Sequence, residues 1–200
     1  MTEIEPDLVE ELTTTAPSCR LLTEQDEGPY HRDLDVMRRD ITEDRVGVPL
    51  RVGLRLLSAD GAPLAGALLE VWHADKDGRY SGFPADTAPP GETFLRGSQR
   101  TDDRGLCTFE TIYPGWYPRR TLHIHLIAHV EADLAVTTQL FFPEEVNNHV
   151  LEQPCYDARG SRDTTNATDD IFANHGAETM LALTPWGAGY DGVLCAAVAG

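Results

Sequence analysis

Residues 121–130, Thr-Leu-His-Ile-His-Leu-Ile-Ala-His-Val, sort their side chains cleanly in one conformation, an extended strand. Neighbouring side chains leave a strand on opposite sides, so Leu122, Ile124 and Leu126 pack inward while His123 and His125 emerge together on the other face. Such a strand needs partners, and the chain provides them. Leu50, Val52, Leu54 and Leu56 alternate with Arg51, Gly53 and Arg55, and the turn at 58–63 leads into a second run at 67–72. Further strands are expected at 105–112, 135–142, 180–183 and 190–198. The one helix candidate is 143–151, which starts at Pro143 with Glu144 and Glu145 in its first turn. Short strands separated by Gly and Pro turns predict an all-β chain: a single-domain β-sandwich with long loops and little helix. Two hundred residues at 41% hydrophobic content suffice for one such core over 21–200. Residues 1–20, acidic and threonine-rich, are expected to form a flexible arm or a lid.

Charge narrows the partners. A formal net charge of −17 argues against nucleic acid and anionic membrane surfaces, both of which call for Lys and Arg clusters. There is no bilayer-length apolar run, and the opening Met1-Thr2-Glu3-Ile4-Glu5-Pro6 is acidic where a leader would be basic and then apolar, so a cytoplasmic location is expected. Cys19, Cys107, Cys155 and Cys195 form no Cys-x-x-Cys unit; buried thiols are the favoured reading, with disulfides in three connectivities as the alternative.

Two imidazoles on one strand face can share a metal ion, or can be two partly exposed histidines on a polar sheet. Alone they would suit zinc, copper, nickel or iron. The surrounding residues bear on the choice: Tyr117 lies six residues before His123, and Tyr80 closes the segment that begins at Val71. A phenol with a pKa of about 10 ionises near neutrality only when a strong Lewis acid replaces its proton, and two hard phenolate oxygens favour a trivalent ion. Ferric iron is the natural candidate.

These residues resemble the intradiol ring-cleaving dioxygenases, the catechol and protocatechuate family of non-haem ferric enzymes. The resemblance runs over residues 19–190 through Leu22-Thr23-Glu24-Gln25, Glu27-Gly28-Pro29-Tyr30, 66–82, 111–125 and Thr137-Thr138-Gln139-Leu140-Phe141-Phe142. With five residues between Tyr117 and His123, the chain looks most like the short, stand-alone branch, whose members are often secreted. The resemblance implies Fe(3+) as cofactor, held by Tyr80, Tyr117, His123 and His125, with Arg120 and Gln139 lining the site. It further implies that Tyr30, Trp72 and Arg120 contact the substrate, and that Tyr117 is ligand and then proton acceptor while Arg120 stabilises developing anionic charge. The implied partners are a catechol-type diol and dioxygen, cleaved between the two hydroxylated carbons to a cis,cis-muconate-type diacid; a homo-oligomer is left open.

A catalytically silent sandwich, either a subunit or a binding module, is the alternative from another class. Silent copies should have lost ligands, whereas this chain keeps two tyrosines, both histidines, the arginine and the glutamine. A zinc or copper site on the histidine pair would leave the phenols idle. Other suggestive pieces have plainer readings. Asp75-Lys76-Asp77-Gly78 lacks the remaining ligands of a calcium loop and reads as a turn. His73, His129, His149 and His175 have no partner at metal spacing and are expected at the surface or in support of the site. The polar tract 157–170 reads as a flexible loop able to cover the site, and its Asn166-Ala167-Thr168 sequon means nothing without a eukaryotic secretory context.

Overall fold

The computed structural model describes residue 8 and residues 19–83, 91–131 and 134–199. Two sheets stack face to face. In the first, the long β2 (Pro49–Ser58) pairs antiparallel with β5 (Leu106–Ile112) and parallel with β9 (Gly189–Val198). The far edge of β9 is shared by β8 (Ala182–Trp186) and the two-residue β1 (Arg20–Leu21). The second sheet is antiparallel, in the order β4 (Arg96–Arg100), β3 (Leu68–Trp72), β6 (His123–Glu131), β7 (Leu134–Phe141).

Between the sheets Leu50, Val52, Leu54 and Leu56 of β2 meet Leu69 and Val71 of β3 and Ile124, Leu126 and Ala128 of β6 in one cluster. Each is almost sealed from solvent, and a fully buried aliphatic side chain contributes roughly 1.5–3 kcal/mol relative to exposure. With that face of β6 committed to the core, its period of two sends His123 and His125 to the outer face of the second sheet.

The helix expected at 143–151 forms as α1 (Glu144–Leu151), buries Asn147 and Val150, and its Asn147 Oδ1 accepts a hydrogen bond from Tyr113 Oη at 2.8 Å. Three expectations are corrected. Residues 157–170 are not a featureless loop: they contain 3₁₀ turns at Asp157–Arg159 and Asn166–Thr168 and lead into a one-turn α2 (Asp170–Ala173) capped by Asp169. Strand β4 was missed because Arg-Gly-Ser-Gln-Arg carries no apolar alternation, and pairing with β3 draws it into the sheet. Cys19 and Cys195 are not free thiols but a disulfide, which ties the residue before β1 to β9 across a separation of 176 residues, while Cys107 and Cys155 are free.

The arm expected over 1–20 falls largely outside the described residues, but Leu8 is buried against Leu106 and Val193. Asp75-Lys76-Asp77-Gly78 is a turn, as read: Asp75 Oδ1 accepts from the N–H groups of Asp77 and Arg79, both at 2.9 Å. Among the described residues no helix is long and apolar enough to cross a membrane.

Candidate metal centre

One cross-strand row sets out much of the site. Arg96, Trp72, His125 and Gln139 stand directly opposite one another on β4, β3, β6 and β7, so all four occupy the outer face of the sheet. His123, two residues before His125, adds the second imidazole. Each phenol arrives on a loop, and the loops interlock through glycines. Gly115 N donates to Asp75 O at 3.0 Å, and a Cβ there would collide with Lys76 O; a Cβ at Gly78 would collide with Trp116 O. This close approach draws Tyr80, two residues after Gly78, and Tyr117, two after Gly115, to the same spot.

Four donor atoms converge there. Tyr117 Oη lies 3.0 Å from His123 Nε2, which lies 3.1 Å from His125 Nε2. His125 Nε2 lies 3.0 Å from Tyr80 Oη, and the two phenol oxygens are 3.5 Å apart. Donors about 2 Å from a shared centre stand roughly 3 Å from one another, so the spacing fits one metal ion. His123 Nδ1 donates to Thr121 O at 2.7 Å, which leaves the Nε2 lone pair facing the centre.

The electrostatics point the same way. Burial, followed by the charge on Arg120, pushes His123 down to about 3. Burial, followed by His123, takes His125 well below its ordinary 6.5. Burial also raises both phenols above 10, Tyr80 far above. Without an ion the cluster is therefore neutral and desolvated. A cation at the centre is the one partner that accepts an electron pair from all four atoms at once. The candidate donor set is two imidazoles and two phenols; among the described residues no group of three or more His, Cys, Asp or Glu could hold a metal.

Arg120 reaches this centre from a turn. Pro118 follows Tyr117, Arg119 adopts φ +71°, and Arg120 N donates back to Tyr117 O at 3.3 Å, the pattern of a type II turn whose third position usually holds glycine. Asp163 accepts from Arg119 N and steadies that strained residue. Arg120 Nε donates to Asp169 Oδ2 at 2.9 Å and Nη2 donates to Gln139 Oε1, which leaves Nη1 beside the donors, 3.4 Å from His123 Nε2. Gln139 is itself held, its Nε2 donating to Asp26 O and its backbone N to Gln25 Oε1.

Tyr30 stacks on Tyr80 with centroids 4.3 Å apart and meets Tyr117 edge-on at 5.9 Å. Trp72, expected among the substrate-pocket aromatics, is only 1% exposed and lies parallel to His125 at 4.8 Å, backing the imidazole. His73 is neither at the surface nor at the site: it is buried in the core and hydrogen-bonded to Thr111 Oγ1. His129, His149 and His175 lie apart from the donors, and the last two are paired with Gln153 and Glu178. Sequence reasoning missed Asp169. This buried carboxylate accepts from Arg120, from Thr121 N at 2.7 Å and from Ile171 N and Phe172 N at 2.8 Å. Burial alone would raise its pKa, but these N–H donors and Arg120 bring it below the ordinary 3.8. A lone Asp in a polar tract gives no signal of this; the tract packs against the site through it.

A family model described as dioxygenase matches residues 23–183. The fold superposes with a TM-score of 0.84 on an intradiol ring-cleavage dioxygenase from Tetranychus urticae, 34% identical over 90% of this chain and 94% of that one. It superposes at 0.66 on the dioxygenase domain of a dioxygenase carbohydrate-binding protein fusion from Streptomyces sp. SirexAA-E, 30% identical over 88% of this chain and 97% of that one. In sequence, catechol 1,2-dioxygenase 1 of Acinetobacter lwoffii is 30% identical over 122 residues, 52% of this chain; the match spans only 39% of that relative's length.

Proposed function

Because the chain belongs to the intradiol ring-cleavage dioxygenase family, we propose that it cleaves a catechol-type diol with dioxygen between the two hydroxylated carbons. Both oxygen atoms enter the product, a cis,cis-muconate-type diacid. The observation that carries this reading is the ring of four donors at 3.0–3.5 Å with Arg120 Nη1 beside it. Ferric iron bound by Tyr80, Tyr117, His123 and His125 would supply the Lewis acidity that brings both substrate oxygens to one centre and prepares the ring for dioxygen.

The chain's own residues divide the remaining work. A catechol must shed two protons to bind as a dianion, and Tyr117 Oη would take one of them; its partly buried phenol, free of the stacking that holds Tyr80, supports this role. Arg120, fixed at Nε by Asp169 and at Nη2 by Gln139, presents Nη1 to the anionic charge that develops on the substrate. Its carboxylate partner and its amide partner let it act without first reorganising. Tyr30 offers an aromatic edge where the ring would enter, and Trp72 holds His125 in orientation from behind. The Cys19–Cys195 disulfide favours an oxidising compartment as the place of action.

Dioxygen uptake by the iron-loaded protein, measured across a panel of catechol, hydroxyquinol, protocatechuate and methoxylated catechols, tests the proposal. Uptake of one dioxygen per ring with a muconate-type ultraviolet spectrum is expected. Iron binding with no uptake on any diol would favour a silent member of the family.

A further inference from the structure

We infer that Arg96 is a positioning residue for the Tyr80 ligand: it grips the phenol-bearing turn by donating to both the side chain and the backbone oxygen of Ser81. The inference rests on the reading that Tyr80 binds iron, and it adds a residue to which neither the family match nor the sequence motifs assign a role. Arg96 opens β4 and stands opposite Trp72 at the end of the row that continues through His125 to Gln139. Its Nε donates to Ser81 Oγ at 2.8 Å and its Nη2 to Ser81 O at 3.1 Å, so one planar fork holds both the side chain and the backbone of the residue that follows Tyr80. Ser81 Oγ in turn donates to Phe94 O at 2.8 Å, which locks the turn to the start of β4.

Arg96 differs from Arg51, the other buried arginine among the described residues, and from the partly buried Arg120 and Arg162 in its lack of an acid. Arg51 is bidentate with Asp191, Arg120 pairs with Asp169 and Arg162 with Glu144, whereas Arg96, 4% exposed, has no carboxylate within ion-pair distance among the described residues. A guanidinium taken out of water without a directly paired carboxylate is costly, and it persists where another requirement holds it. Holding the turn that carries Tyr80, through the two hydrogen bonds to Ser81, meets that requirement. Burial and the neighbouring Arg32 bring the Arg96 guanidinium down to about 10, while Tyr80 and Glu70 act in the opposite direction. Partners that orient a metal ligand in this way are worth about 10- to 100-fold in metal affinity.

The test uses the full chain loaded with ferric iron, comparing Arg96→Gln, Arg96→Lys and Ser81→Ala with Arg100→Gln, an exposed position at the other end of β4. The readouts are the visible tyrosinate-to-iron absorption band and the rate of iron loss to a chelator, with folding followed by circular dichroism. Arg96→Gln should shift the band and release iron about tenfold faster or more. Arg96→Lys, which keeps the charge but loses the fork, should fall between it and the unaltered protein; Ser81→Ala should move both readouts in the same direction by less, and Arg100→Gln should move neither. A folded Arg96→Gln protein with an unchanged band and unchanged release overturns the inference. If that variant does not fold, unchanged readouts in Ser81→Ala overturn it. An unaltered protein that shows no visible band when loaded with ferric iron overturns the iron reading itself, and this inference with it.

Discussion

Tyr80 and Tyr117 place identical groups 3.5 Å apart from very different surroundings. Tyr80 is 4% exposed, follows a turn knotted around Asp75, lies beneath the ring of Tyr30 and adjoins a serine held by Arg96. Tyr117 is only partly buried, begins a turn with exposed Pro118 and Arg119, and depends for its shape on a non-glycine residue at positive φ tethered to Asp163. A phenol packed on every side suits a permanent ligand. A phenol on a tethered turn suits a group that changes partner when substrate arrives. The two halves of one donor ring thus differ in how they are held, and the proposed division of roles rests on that difference rather than on the chemistry of the side chain.

Tyr80→Phe should break the comparison most severely, since it deletes the donor that cannot be replaced by movement. Iron affinity should fall by more than about 100-fold, beyond what the loss of an outer partner costs, as read by metal analysis after dialysis. His123→Ala and His125→Ala should behave alike. Arg120→Ala comes next: it should keep iron and the visible band but lower kcat by about 10²–10³-fold, the usual effect of removing one preorganised donor from a developing anion. A kcat near that of the unaltered protein would remove Arg120 from the chemistry.

Tyr117→Phe sharpens the contrast. It should fold, retain iron better than Tyr80→Phe and lose part of the band. Anaerobic stopped-flow mixing with catechol should show slower association, because one substrate proton has lost its acceptor. Unchanged association would transfer the base role to Tyr80 despite its packing. The smallest effect is expected from Asp169→Asn, read as stability against pH. The fold holds the Asp169 carboxyl below its ordinary 3.8, so its contribution is present above that value and is lost as pH falls through the lower folded value. The variant should accordingly be less stable at neutral pH and show a flatter acid limb of unfolding. An acid limb identical to that of the unaltered protein would mean that the carboxylate does not hold Arg120 as described.

How much was legible follows the range of the interactions. The strand at 121–130 was readable because alternation is local, and with it came the pairing of His123 and His125 on one face. The phenols were readable as donors because of their residue type and the motifs around them, while their meeting depends on Gly78 and Gly115 interlocking two loops some 37 residues apart, as the Tyr80 and Tyr117 contact records. Strand β4 escaped because a polar pentapeptide has no hydrophobic period, and the tract 157–170 was taken for a loop because Asp, Thr and Asn favour turns until a tertiary partner engages them.

By itself, then, the sequence determined what local periodicity and side-chain chemistry encode: an all-β sandwich, a strand with two outward imidazoles, and two phenols in motifs of their own, for which a ferric ion is the proposed partner. Tertiary structure alone decided which distant groups serve that strand. Asp169 reaches Arg120 across 49 residues, Gln25 reaches Gln139 across 114, and Cys19 reaches Cys195 across 176. The physical reason is that these contacts depend on how the two sheets and their loops close on one another. A carboxylate, an amide or a thiol looks the same in the chain whether it ends up in solvent or against a buried guanidinium, and only burial makes the partner obligatory.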